Sequence, residues 1–279
     1  MTDYIELNCV VEPVNPGADV LIAALSEIGF DSFVETEIGV QAYIKSELFD
    51  ADKVSALDVL NSPFFTITFS YNEVENQNWN AVWESNYQPV NIDDRCVIKA
   101  PFHTESFNAP FQIEIEPKMS FGTAHHETTA SIIRLMLDCD FKGKTVLDMG
   151  AGTGVLAILA SLMGASEIVA IDNDHWAFEN HMENNERNNI HNCQVILGDA
   201  SAIPNRTFDV ILANINRNIL LNDMHHYTNA LNDGGIIFFS GFYVGYDLEA
   251  ITNRANELGL SFVKNSELNK WTAAIFVKP

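Results

Sequence analysis

The chain has few cysteines, few basic residues and no long apolar run, and each shortage removes a class of protein. Cys9, Cys96, Cys139 and Cys193 are scattered over 279 residues without C-x-x-C spacing. That pattern excludes a disulfide framework and a zinc ribbon, and fits reduced thiols in a core. The pairs His125-His126 and His225-His226 diverge on any helix and no H-E-x-x-H pattern occurs, so no metal site is expected. The longest apolar run, Val155 to Met163, is half of what a membrane helix needs. The opening Met1-Thr2-Asp3-Tyr4-Ile5-Glu6 carries no charged-then-apolar leader, so a soluble, cytoplasmic protein without membrane association is expected. There is no internal repeat and no low-complexity tract. Only 15 Lys and Arg stand against 38 Asp and Glu, a net charge of −23. Such a chain repels phosphate backbones, which argues against free nucleic acid and for a basic protein partner; mere solubility is the alternative explanation. The excess sits early, because residues 1–75 hold 14 acids against only Lys45 and Lys53.

What is present is a glycine turn. Val146-Leu147-Asp148-Met149 reads as an apolar strand, Gly150, Gly152 and Gly154 alternate after it, and Val155 to Ala160 has the composition of a helix. Glycines let backbone come close to a ligand, and a helix start favours an anionic group. A dinucleotide fingerprint requires glycine at position 155, where this chain has Val155, and a P-loop requires a lysine that is absent. The remaining pattern, Asp-x-Gly-x-Gly-x-Gly, is that of S-adenosylmethionine-dependent methyltransferases, with a purely structural tight turn as the alternative. In that reading Asp148 orients the cofactor's ammonium group, and the amides of the loop around Gly150 and Gly152 receive its carboxylate.

Three further strand ends point to the same crevice. Glu167 to Ile171 ends in Asp172, 22 residues after Gly150, where an acid accepts both hydroxyls of a ribose. Asp174 is expected to cap the next helix. Cys193 to Leu197 ends in Gly198-Asp199, and Asp199 can accept from an adenine amino group. Phe208 to Ala213 ends in Asn214-Ile215-Asn216-Arg217. The Asn214 amide oxygen suits an amine whose lone pair must face a methyl donor, and Asn216 is expected to cap a helix. Downstream, Ile236 to Ser240 is a strand, Tyr246 to Leu258 a helix, and Leu260 to Lys264 with Thr272 to Val277 a closing antiparallel pair. The alternation predicts an α/β fold with a mostly parallel sheet, like class I methyltransferases.

The first 75 residues read as a separate unit: strand Tyr4 to Val11, helix Gly17 to Ile28, a hairpin around Ile38-Gly39, a helix from Asp50 through Leu60, and strand Phe64 to Tyr71. This is the ferredoxin-like order, which also occurs in amino-acid-sensing modules. Residues 76–92 are expected to connect, with a short helix over Trp79 to Tyr87. Residues 93–279 form the catalytic domain, whose sheet is entered through strands at Cys96 to Ala100 and Phe111 to Ile115.

Taken with Ser120-Phe121-Gly122-Thr123-Ala124-His125-His126-Glu127-Thr128-Thr129, the glycine turn and Asn214-Ile215, the sequence resembles the ribosomal protein L-eleven methyltransferase family over nearly its whole length. The resemblance implies that Thr129, Gly150, Asp172 and Asn214 contact S-adenosylmethionine. It also implies that the segment before Ile132 closes over the cofactor and that the first domain holds the protein substrate. Lysine and N-terminal amines are the implied targets, with Asn214 at the reacting centre and a monomeric enzyme. Ala124, Glu127 and Asn216-Arg217 depart from the family's usual residues and bear on loop geometry and target preference. Two alternatives remain at this level: a nucleic-acid N-methyltransferase, and a non-catalytic cofactor-binding regulator.

Overall fold

Period-two alternation in Tyr4–Glu12 sends Ile5, Leu7, Cys9 and Val11 to one side, and that side is buried. The structure, a computed structural model, describes residues 4–74, 84–118, 122–124 and 126–279. They fall into two units, Met1–Asn86 and Tyr87–Pro279. In the first, strand β1 (Tyr4–Glu12) is followed by helix α1 (Val14–Glu27), hairpin strands β2 (Ser32–Thr36) and β3 (Gly39–Lys45), helix α2 (Ala51–Ser55), a 3-10 turn (Asp58–Asn61) and strand β4 (Thr66–Val74). The sheet is antiparallel in the order β2-β3-β1-β4. Leu21 and Leu25 of α1 cover it, packing with Val40, Ala42 and Ile44. Asp50 caps α2 by accepting from the Asp52 and Lys53 amides. The single helix expected through Leu60 is broken at Leu57, whose ψ of 128° turns the chain so that Val54 and Val59 both reach the core. The helix expected over Trp79 to Tyr87 lies largely outside the described residues.

The second unit begins with three short strands, β5 (Val90–Ile92), β6 (Cys96–Lys99) and β7 (Phe111–Glu114), which make a sheet of their own. The expectation that β6 and β7 lead into the catalytic sheet is therefore corrected: β6 pairs only with β5 and β7. Next come helix α3 (Glu127–Leu137), strand β8 (Thr145–Met149), helix α4 (Val155–Leu162), strand β9 (Glu167–Asp172), helix α5 (His175–Arg187) and strand β10 (Cys193–Leu197). A second 3-10 turn (Ala200–Ala202) leads to strand β11 (Phe208–Asn214), helix α6 (Arg217–Asn229), strand β12 (Leu231–Tyr243), helix α7 (Tyr246–Glu257) and the closing strands β13 (Ser261–Leu268) and β14 (Trp271–Val277).

The main sheet has the order β10-β9-β8-β11-β12-β14-β13. Every neighbouring pair from β10 through β12 is parallel, and β14 runs antiparallel to both its neighbours. Both faces are covered, so the strands are apolar on both sides. Val146, Ile168 and Leu212 look toward α3 and α4, while Leu147, Val169 and Ile211 look toward α6 and α7. The chain starts at β8 and winds outward to β10, then returns to β11 on the other side of β8. Between β8 and β11 the winding reverses, and at such a switch point ligands bind beyond the carboxyl ends of the strands. β12 is longer than the strand expected from Ile236 to Ser240, and Gly241 at φ +99° sits where its pairing with β14 shifts register. Among the described residues no helix is long and apolar enough to cross a membrane.

Candidate functional site

The glycine turn adopts the backbone that its composition requires. Gly150, Gly152 and Gly154 have φ of +65°, +55° and +83°, and Gly154 is the N-cap of α4. A Cβ at Gly150 would collide with the Ile215 side chain, and one at Gly154 with the His181 ring. The Gly150 and Ala151 amides both donate to the Ile171 carbonyl, at 2.8 and 3.2 Å, and the Gly154 amide to Ala151. The Gly152 amide donates to Asp172 Oδ2 at 2.8 Å. Four of the loop's N–H groups are thus engaged internally. This differs from the expectation that they receive a ligand carboxylate, and leaves close backbone approach as the loop's contribution.

Asp172 stands at the end of β9, with Oδ1 accepting the Asp174 amide at 3.0 Å. Each of its oxygens has given up one lone pair, so acceptor capacity remains for hydroxyl donors. Asp174 caps α5 and Asn216 caps α6, both as expected from sequence. Asn214, at the end of β11, is only 9% exposed. Its Nδ2 donates to Thr129 Oγ1 at 3.1 Å, while its Oδ1 has no partner among the described residues. Thr129 is fully buried in the first turn of α3, so it orients Asn214 from behind.

Gly150, Gly152, Asp172 and Asn214 line one cavity of about 480 Å³, together with Ile215, Gly241, His126, Thr128 and Trp271. A smaller cavity of about 80 Å³ adjoins it, sharing Gly150, Asp172 and Ile215 and adding Gly198, Asp199 and Tyr227. Asp199 Oδ1 accepts both the amide and hydroxyl of Ser201, and those bonds hold its carboxyl below the usual range. Thr129 and Asp148 line neither cavity. Asp148 is buried to 1% exposure beneath the loop. Burial pushes its carboxyl up to about 8, opposed by the Ala157 backbone N–H and reinforced by the Asp172 charge.

The cavity also contains His126, from the segment expected to close over the cofactor, and Gly241 and Trp271, to which the sequence assigned no role. His126 Nδ1 accepts the Thr128 amide at the start of α3, and its ring meets Trp271 edge-on at 4.8 Å. Tyr243 backs Trp271 at 4.0 Å. Gly241 left a signal as a glycine inside an apolar strand; a Cβ there would strike the Ile215 carbonyl. The segment expected to close over the cofactor is described only at Gly122 to Ala124 and from His126 onward. Among the described residues no three His, Cys, Asp or Glu gather as metal ligands.

Comparison with known proteins agrees with this geometry. The family model for ribosomal protein L11 methyltransferase (PrmA) matches residues 24–279. A ribosomal protein L11 methyltransferase of Phocaeicola vulgatus is 47% identical, over 98% of this chain and 99% of its own length. One of Porphyromonas gingivalis is 43% identical, over 92% of this chain and 90% of its own. The crystal structure of a ribosomal protein L11 methylase from Lactobacillus delbrueckii superposes with a TM-score of 0.64 at 26% identity, covering 69% of this chain and all but 1% of that one, which it covers to 99%. On these matches the chain belongs to the ribosomal protein L11 methyltransferase family.

Proposed function

We propose that this chain moves methyl groups from S-adenosylmethionine to lysine side-chain or N-terminal amines of ribosomal protein L11, and that Asn214 receives the amine. The observation that carries the reading is the unpartnered Asn214 oxygen beside a cavity that also holds Gly150, Gly152 and Asp172. These residues fit the cofactor. The cavity is of small-ligand size, Gly150 leaves space a Cβ would fill, and Asp172 keeps acceptor capacity for a ribose. When bound, S-adenosylmethionine supplies an electrophilic methyl group on a sulfonium.

The protein's task is then to hold a neutral amine in line with that methyl. Neutralising a lysine of reference pKa near 10.4 at pH 7 costs about 5 kcal/mol, and an α-amino group about 1 kcal/mol. Asn214 Oδ1 accepts an N–H of the neutral amine, so the lone pair points away from it. Thr129 holds the amide plane, and Gly241 leaves room for the Ile215 carbonyl to act as a second acceptor. In this reading water takes the proton, and positioning carries the rate. Trp271 and His126 give the amine an aromatic wall, against which a methylated ammonium is favoured.

The first unit, whose β-α-β-β-α-β order is compatible with a ferredoxin-like module, holds the substrate in this reading, and its acidic balance suits a basic protein. We read the enzyme as monomeric, and as cytoplasmic because ribosomal proteins are made there. The test is Asn214→Ala. Turnover is expected to fall about a hundredfold, with cofactor affinity kept within about threefold. Equal loss of both would reassign Asn214 to cofactor binding. Methyl transfer to free RNA that falls steeply with salt would instead favour a nucleic-acid enzyme.

A further inference from the structure

One face of α5 carries asparagines at every fourth position, and they bind backbone as a neighbouring strand would. Asn188, the C-cap of α5, accepts from the Glu114 amide at 2.8 Å and donates to the Glu114 carbonyl at 2.7 Å. One turn earlier, Asn184 accepts from the Glu116 amide at 2.9 Å, but its Nδ2 donates elsewhere, to the Thr153 carbonyl of the glycine turn at 2.9 Å. Asn180 donates to the Glu116 carbonyl at 3.3 Å. Asn184 and Thr153 are both fully buried. Thr153 completes the connection, its hydroxyl donating to the Gly122 carbonyl at 2.9 Å. Gly122, at φ +110°, lies so near that hydroxyl that a Cβ would meet it at 2.8 Å. The chain leaving β7 is therefore fastened to the glycine turn at Glu116 and again at Gly122. It then enters α3, which carries the cavity residues His126 and Thr128 and the Asn214 partner Thr129.

We propose that Asn184 is a positioning residue for methyl transfer, joining the glycine turn to the chain that carries the amine-facing residues of α3. This rests on the proposed function. Asn188 fastens the same chain at Glu114, donates also to the Asn184 backbone carbonyl at 2.7 Å, and among the described residues has no hydrogen bond to the glycine turn, so it serves as the internal control. Loss of a buried hydrogen bond that lets the unliganded turn relax, so that binding must re-form its geometry, weakens binding by about tenfold.

The experiment measures thermal midpoint, cofactor dissociation constant by calorimetry, and kcat and KM for methylation of ribosomal protein L11 in the full chain carrying Asn184→Ala, Asn184→Asp or Asn188→Ala. Asn184→Ala and Asn188→Ala are expected to lower the midpoint by similar amounts. Only Asn184→Ala is expected to weaken cofactor binding about tenfold and to lower kcat as well. Asn184→Asp keeps the acceptor for Glu116 and regains a donor for Thr153 only when protonated. The ratio of its cofactor affinity to the parent's, compared at each pH so that the Asp148 and His181 titrations common to both chains cancel, is therefore expected to rise toward one as pH falls. If Asn188→Ala weakens the cofactor as much as Asn184→Ala, or if neither does, Asn184 is structural and the proposal is overturned while the proposed function stands. A parent chain that binds no cofactor overturns both.

Discussion

Asp148 is a carboxyl held out of water under the glycine turn, and its environment fixes the sign of a pH effect. In the folded chain its pKa is about 8 against an ordinary 3.8. The folded state therefore binds the proton more tightly than the unfolded chain, so this contribution to stability is full below about 4 and is lost as pH rises toward about 8. Asn cannot ionise, so Asp148→Asn is expected to gain on the parent in thermal midpoint between pH 4 and pH 8, with the gap level above that. A gap that shrinks with rising pH would mean that the carboxylate is stabilised where it sits. His181, whose ring lies against Gly154, has the opposite sign: burial holds it down to about 4 from 6.5, so its contribution is lost as pH falls through that window. At this scale the sequence was readable where a side chain acts on its own turn. Asp172, Asp174, Asn214 and Asn216 each sit at a strand end or helix start that spacing identifies. The contact between His126 and Trp271 was not readable, because the packing of α3 against β14 brings together residues far apart in the chain.

Among the elements, the turn between β8 and α4 has the least freedom. Ala at position 154 would need a left-handed backbone at φ +83° and would drive its Cβ into a buried ring. Gly154→Ala is expected to lose about 2–4 kcal/mol in denaturant unfolding, combining backbone and overpacking terms. A loss within the scatter of surface substitutions would show that the His181 side chain can move aside. Strands β8, β9 and β11 were legible because β-branched apolar runs end in turn residues, and α4 because its run follows the glycine turn and is rich in the helix formers Leu and Ala. The break of the second helix at Leu57 was not legible, since Ala56-Leu57 carries no glycine or proline and only the demand to bury Val54 and Val59 produces it. Nor was the separate sheet of β5, β6 and β7, because strand patterning identifies a strand and not its partner.

For the whole molecule, charge decides how it meets its substrate. A net charge of −23, with 14 acids in the first 75 residues, draws a basic protein from a distance, and salt screens that attraction. KM for ribosomal protein L11 is expected to rise about tenfold between low salt and several hundred millimolar, while kcat and cofactor affinity change less than about twofold. A salt-independent KM would leave the acidic surface to solubility alone. The acidic excess of residues 1–75 suggested a separate first unit from sequence, and the contact division falls at Asn86–Tyr87. The measurement that bears most directly on the methyl-transfer reading is a mass spectrum of purified ribosomal protein L11 after incubation with this chain and labelled S-adenosylmethionine. L11 gaining label in whole methyl steps on amines, with Asn214→Ala nearly silent, is the expected result. Cofactor that stays unconsumed, or label found on RNA and not on L11, would contradict it.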